Sequence, residues 1–217
     1  MRKWLPLLAI AVAFAFTAAV YGRLPEELPV HWNIRGEPDR WAGRLHGALL
    51  LPVLALGLWV LLSVLPRLDP RKANYAKFSG TYDLIVTSLV VVAAGIHVAV
   101  LGSAIGWPVP IERVVPALVG GLFIVLGNAL PRARSNWWFG IRTPWTLSNE
   151  RVWERTHRVG GYLMVGVGCL LLVAAIVPGP HTAIIATGGL AVMAVVSVAY
   201  SYIAWRQETS GAASGRA

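Results

Sequence analysis

The densest chemistry in the chain lies between Asn136 and Gly161, NWWFGIRTPWTLSNERVWERTHRVGG, where Trp, Arg, Asn, Thr and His interleave with few aliphatic residues. Arg142 is the leading candidate for directed binding, because a guanidinium meets two acceptors in one plane and a lysine ammonium cannot. Glu150, Trp153 and His157 fall on one face of any helix that contains them. His157 and Glu150 could there exchange a proton, but acid-base capacity without a substrate pocket is not a mechanism. The chain has no Ser-His-Asp set in a plausible frame, no H-E-x-x-H, no glycine-rich phosphate loop and no paired buried carboxylates. The segment therefore reads as a recognition surface and the chain as a non-enzyme. Its partner-binding candidates are Asn136, Arg142, Thr143, Trp145, Asn149, Glu150, Trp153 and His157. A plainer alternative is an aromatic and basic anchor, with Trp137, Trp138, Trp145 and Trp153 at headgroup level and the arginines on lipid phosphates. That accounts for the residue types. It does not require Asn136, Thr143, Thr146, Asn149 and His157 at one turn-helix junction.

A second cluster lies in LPVHWNIRGEPDRW, Leu28 to Trp41. His31, Asn33, Glu37 and Asp39 offer donors and acceptors around one turn, and His31, Trp32, Asn33, Asp39 and Arg40 are the recognition candidates on this side. The plainer alternative is an amphipathic cap with Trp32 and Trp41 at the interface. A metal is not expected, since His31 and Asp39 fall short of the roughly three or four ligands of a zinc site. His46 and His97 could join them only if folding brought them close, and no cofactor is implied. His97 sits inside an apolar run, where an ionisable residue is functional by default. Its plainer role is a hydrogen bond to a neighbouring helix.

The elements that must position these residues are membrane helices. A mean hydropathy of +0.62, with 56% hydrophobic and 13% charged residues, lies far from a soluble domain. Runs of about 20 apolar residues suffice to cross a bilayer. Such spans are Trp4 to Tyr21, read as uncleaved, then Leu45 to Leu65, Tyr82 to Ile105, Val114 to Leu130, Gly161 to Val177 and Thr182 to Trp205. Six crossings put both termini on one side. Arg2, Lys3, Arg67, Arg71, Lys72, Lys77, Arg132, Arg134, Arg142, Arg151, Arg155, Arg158, Arg206 and Arg216 fall on that side, against Arg23, Arg35, Arg40, Arg44 and Arg113. By the positive-inside rule the termini and residues 131–160 are cytoplasmic, and residues 22–44 lie outside. Topology and anionic lipid then absorb the net charge of +9, so direct nucleic-acid binding is not implied. The single Cys169 lies within a span and forms no intramolecular disulfide.

Local signals refine this. Pro25 and Pro29 oppose helix, LPVHWNI suits a strand and RGEPD a turn, which predicts a strand-turn element outside. Ser148 is the expected cap of a helix through Val159, with Glu154 and Arg158 paired, and Gly160-Gly161 lets the chain turn or pack closely at re-entry. Gly102 and Gly106 are spaced for close helix packing. The chain divides into an N-terminal membrane domain, 1–65, a second membrane domain, 66–209, and a disordered tail, 210–217. The fold class is an all-α membrane protein of about six transmembrane helices, with a small extracytoplasmic strand-turn element and a cytoplasmic turn-helix motif.

The stretch GNALPRARSNWWFGIRTPWTLSNERVWERTHRVGG, Gly127 to Gly161, resembles the signature of the SdpI family of bacterial membrane proteins. Leu28 to Trp41 resembles the small N-terminal domain that often precedes it. The resemblance extends to Asn128, Asn136, Gly140, Ile141, Arg142, Thr143, Pro144, Trp145, Thr146, Trp153, Thr156 and His157. It implies a multi-pass protein of the bacterial inner membrane, with both termini cytoplasmic, that confers immunity to a secreted peptide toxin. It also implies a small repressor protein as a cytoplasmic partner. The alternative, from another class, is a small transporter or lipid-handling protein with a site near His97.

Overall fold

The computed structural model of the protein describes residues 4–33, 37–177, 179 and 181–214, with side chains described as far as Ser210. Seven α-helices and one β-hairpin follow in the order α1 (Leu5–Val20), β1 (Glu27–Trp32), β2 (Pro38–Gly43), α2 (Arg44–Leu68), α3 (Ser79–Ala104), α4 (Ile111–Ala129), α5 (Pro144–Ser148), α6 (Glu150–Ile176) and α7 (His181–Ser214). All but α5 are long and apolar enough to cross a membrane, so the protein is a six-helix multi-pass membrane protein with a small two-stranded sheet. Helix α3 is central to the first half, packed on α1, α2 and α4, while α6 packs on α4 and α7. The hairpin, residues 105–110 and residues 177 and 179 share one end of the bundle. Residues 69–78, 130–149 and the end of α7 share the other.

At the hairpin end the antiparallel pairs run from Glu27 opposite Gly43 to Trp32 opposite Pro38, with irregular register on either side of His31. The hairpin is tied down by Leu28. Its fully buried side chain joins Val20, Leu24, Ala48 and Leu101, and a Cβ on Gly47 would come within 2.7 Å of the Leu28 Cβ. The tip is closed by Asn33 N–H to the Glu37 carbonyl at 2.9 Å and Glu37 N–H to Asn33 Oδ1 at 3.1 Å. Of the expected RGEPD turn, residues 35–36 lie outside the described residues, as do the topology markers Arg2, Lys3 and Arg216.

Glycines bring α4 and α6 together, at positions other than the expected pair. A Cβ at Gly161 would lie 2.5 Å from the Gly127 carbonyl oxygen, and one at Gly168 would lie 2.7 Å from that of Gly120. The two antiparallel backbones therefore touch at two levels, which is how helices pack in lipid where apolar burial gives no drive. Gly102 and Gly106 do not serve a helix pair. Gly106 has φ +92° and closes α3, Trp107 N–H bonds the Gly102 carbonyl at 2.9 Å, and the Trp107 ring folds onto Gly102. They build a helix-ending turn, the other common use of glycine.

One further expectation is narrowed and two are corrected. Of the turn or close packing expected at Gly160-Gly161, the structure has the packing, since α6 runs unbroken from Glu150 to Ile176 and both positions lie against neighbouring elements. At about 1.5 Å per residue α6 is ~40 Å long, more than a hydrocarbon core of about 30 Å, so its first turns stand clear of it. Ser148 does not cap α6. Its hydroxyl bonds back to the Trp145 carbonyl, and Asn149 Oδ1 accepts from Arg151 and Val152 N–H at 2.9 and 3.2 Å. The expected tail is helical to Ser214, because nothing after Trp205 stops α7 and Thr209 bonds back to the Trp205 carbonyl. Residues 215–217 lie outside the described residues.

Candidate functional site

The motif end is assembled from hydrogen bonds that turn inward. After α4 the chain makes a 3-10 turn at Leu130–Arg132, and Asn136, fully buried, becomes the hub of the loop that follows. Its Oδ1 accepts from Trp138 and Phe139 N–H at 2.9 and 2.6 Å and from the Tyr75 hydroxyl at 3.3 Å, while its amide donates to the Arg134 carbonyl at 2.9 Å. One side chain thus satisfies backbone groups that a tight loop would otherwise leave unpaired.

His157 holds the next part. Ile141 N–H donates to Nε2 at 3.0 Å, and Nδ1 faces the Trp153 carbonyl at 2.8 Å. A backbone N–H can only donate, so Nε2 is bare and Nδ1 carries the proton. The ring stacks on Trp153 with centroids 3.9 Å apart, and Trp153 Nε1 donates to the Ala133 carbonyl at 2.8 Å. Gly140, with φ +106°, passes directly over His157, where a Cβ would collide with the ring. Only glycine meets both demands.

Thr143 and Thr146 form a reciprocal cap on α5, Thr143 N–H to Thr146 Oγ1 at 2.9 Å and Thr146 N–H to Thr143 Oγ1 at 3.2 Å. Thr143 Oγ1 reaches Ser201 on α7 at 3.1 Å, and Trp145 packs on Tyr202 with centroids 5.1 Å apart. Arg142 donates to the Trp137 carbonyl and closes the loop between them. Glu154 pairs with Arg134 and not with Arg158, because the loop carries Arg134 to that face of α6.

Residues 69–78, which carry the basic residues Arg71, Lys72 and Lys77 between two spans, complete the site. Asp69 is 2% exposed. Its carboxylate accepts from Arg71 N–H at 2.7 Å, the Tyr75 hydroxyl at 3.0 Å and Trp137 N–H at 2.9 Å. Arg71 reaches the Leu147 carbonyl at 2.7 Å and the Ser135 hydroxyl, and Asn74 donates to the Ser135 carbonyl at 2.8 Å. A buried carboxylate with three donors is the arrangement that makes such burial tolerable. The one signal for it was a lone Asp followed by Pro70 among basic residues at the end of a span.

The partner-binding candidates consequently divide. Asn136, Thr143, Trp153 and His157 are buried, Trp145 and Asn149 are half-buried, and Arg142 and Glu150 are exposed. His157 has both ring nitrogens engaged and no bond to Glu150, so the geometry offers no proton exchange between them. Trp137 and Trp138, 47% and 43% exposed, stand with Arg142 on the outer face of the clamp.

At the hairpin end His31 Nδ1 and Asp39 Oδ1 meet at 2.6 Å, both side chains exposed. Trp32 and Asn33 lie beside a largely apolar cleft of about 300 Å³, with Ile111, Glu112, Gly179 and Thr182 around it. Arg40 is exposed on the hairpin. His46 and His97 are not drawn to His31, and no group of three or more metal-ligating side chains occurs among the described residues. His97, buried on α3, has Nε2 2.7 Å from the Thr17 hydroxyl of α1. That is the helix-to-helix bond expected as its plainer role.

Comparison with known proteins fits both ends. Residues 132–201 match the SdpI/YfhL protein family, and residues 8–56 match a domain of unknown function, DUF1648. The chain is 23% identical to the Immunity protein SdpI of Bacillus subtilis (strain 168) over 201 residues, 93% of this chain and 94% of that protein. It is 29% identical to the uncharacterized membrane protein YbgB of the same organism over 84 residues, 38% of this chain and 81% of that protein. No solved structure matches the chain.

Proposed function

Because the chain carries the SdpI/YfhL family region behind a DUF1648 domain, we propose that it is an integral membrane immunity protein protecting its cell from a secreted, membrane-active peptide. The observation that carries this reading is similarity to an immunity protein over nearly the full length of both chains. The geometry is compatible with a division of labour. The hairpin end, with His31, Trp32, Asn33, Asp39 and Arg40 beside an apolar cleft, suits a peptide that brings both apolar and hydrogen-bonding groups. The motif end presents Trp137, Trp138 and Arg142 to a cytoplasmic regulator, and α6, α4 and α3 link the two ends. Such a relay requires a two-state element that both sites bias. The direct experiment deletes the gene and challenges the strain with its own spent culture medium. Survival should fall and return on complementation, and unchanged survival would remove the immunity role.

The division depends on the hairpin facing outward, as the Lys/Arg distribution indicates. Burial decides where to test it. Ser135 is 1% exposed and would resist labelling from either side, whereas Glu27 and Ser148 are exposed. With Cys169 replaced by Ala, a cysteine at Glu27 should react with an impermeant maleimide in intact cells, and one at Ser148 only after permeabilisation. The opposite pattern would place the motif outside and end the two-sided reading.

A further inference from the structure

We propose that a groove between α1, α2 and α3 at the motif end binds one membrane phospholipid with a zwitterionic, primary-ammonium headgroup. The groove holds about 480 Å³. Its deeper wall is apolar, from Trp59, Leu62 and Val86, and its two charges are of opposite sign, Arg67 and Asp83. Arg67 is the penultimate residue of α2, and Asp83 lies one turn into α3, about 6 Å from its first residue. Both charges therefore sit at interfacial depth, and the apolar wall continues from them toward the bilayer centre.

The bonding around these residues leaves work for a ligand. The Tyr82 hydroxyl is committed to the Leu62 carbonyl at 2.7 Å, which fixes α2 against α3. Arg67 makes one long bond, 3.4 Å, to the Ser63 carbonyl of its own helix, so most of its donors remain available. Among the described residues Asp83 has no hydrogen-bond or ion-pair partner. A carboxylate on a membrane helix is costly without one, and its partner is the first thing to name.

A phosphate diester suits Arg67, and an ammonium attached a few bonds away suits Asp83. Wholly anionic headgroups would set negative charge against Asp83. A choline headgroup has the charge but no N–H to donate. The apolar wall suits the acyl chain of a lipid already in the bilayer and gives a free headgroup nothing to hold beyond the two charges.

The test uses the full-length protein, purified in detergent, stripped of lipid and re-supplied with phosphatidylethanolamine, phosphatidylcholine or phosphatidylglycerol of matched chains. Bound lipid is counted by native mass spectrometry. Phosphatidylethanolamine should be retained about tenfold more tightly than either competitor, corresponding to roughly 1.4 kcal/mol. Asp83→Asn should erase that preference, and Arg67→Gln should weaken all three lipids. Soluble phosphorylethanolamine should compete poorly. Equal retention of the three lipids, a preference for phosphatidylglycerol, equal competition by phosphorylethanolamine, or an unchanged preference in Asp83→Asn would each overturn the proposal. Should Asp83→Asn fail to accumulate, the lipid ranking on the wild-type protein and the Arg67→Gln result decide it.

Discussion

Gly161→Leu should remove most of the folded protein from the membrane. The Cβ alone would come within 2.5 Å of the Gly127 carbonyl oxygen, and Pro131 closes the space beside it at 3.2 Å. Overpacking a core commonly costs about 1–3 kcal/mol, and here the obstacle is backbone, which cannot rotate aside. The opposing contact at Gly168 and Gly120 prevents α6 from sliding to relieve it. Gly166→Leu is the matched control, because on the same helix it meets nothing within 4 Å. Fluorescence-detected size-exclusion in mild detergent separates the outcomes. A monodisperse peak near wild-type height for Gly161→Leu would mean that α4 and α6 do not meet through their glycines.

Removing the Asn136 side chain should be the most damaging single change in the clamp. Asn136→Ala strands the N–H groups of Trp138 and Phe139 and weakens the seat of the Tyr75 hydroxyl. Each buried donor left without an acceptor costs about 1–3 kcal/mol, so a loss of roughly 3 kcal/mol is expected. Asn136→Asp keeps the acceptor and loses the amide bond to the Arg134 carbonyl, so it should fall between wild type and Ala. Asp69→Ala should act on the same unit, since Asp69 and Asn136 share the Tyr75 hydroxyl. The double variant should therefore cost less than the sum of the singles. Thermal melts followed by tryptophan fluorescence supply all four values. Strict additivity would show that the two loops are independent.

Much of the architecture was legible because its signals are local. Apolar run length marks the six crossing helices, and Pro25, Pro29 and the alternation in LPVHWNI mark the hairpin. The site was legible in kind and not in direction. Asn136, Thr143, Thr146, Asn149 and His157 form a set that a lipid anchor does not require, yet residue type does not say that a polar group faces inward. Its burial depends on Asp69, Arg71 and Tyr75, about sixty to eighty residues earlier in the chain, and no period or spacing links the two loops. Glycine was ambiguous for the same reason. Gly161 carries the signs of a turn and of close packing alike, and it packs because Gly127 lies against it. Gly102 and Gly106 carry the signs of packing and end a helix because Trp107 folds back. The choice of Asn149 over Ser148 as cap follows from α5, whose own cap at Thr143 sets where the next helix can begin.

The account stands on residues 133–146 being folded by their own hydrogen bonds, with side chains of Asn136, Asp69, Thr146 and His157 serving the backbone. Hydrogen exchange of the full-length protein in lipid nanodiscs tests this most directly, because protection measures the free energy of opening segment by segment. The amides of Trp137, Trp138, Phe139, Ile141 and Thr143 should exchange far more slowly than those of a solvated loop. In His157→Ala the protection at Ile141 should collapse while the membrane part of α6 stays protected. Exchange of the wild-type segment at the rate of an unstructured chain would contradict the inward-folded clamp.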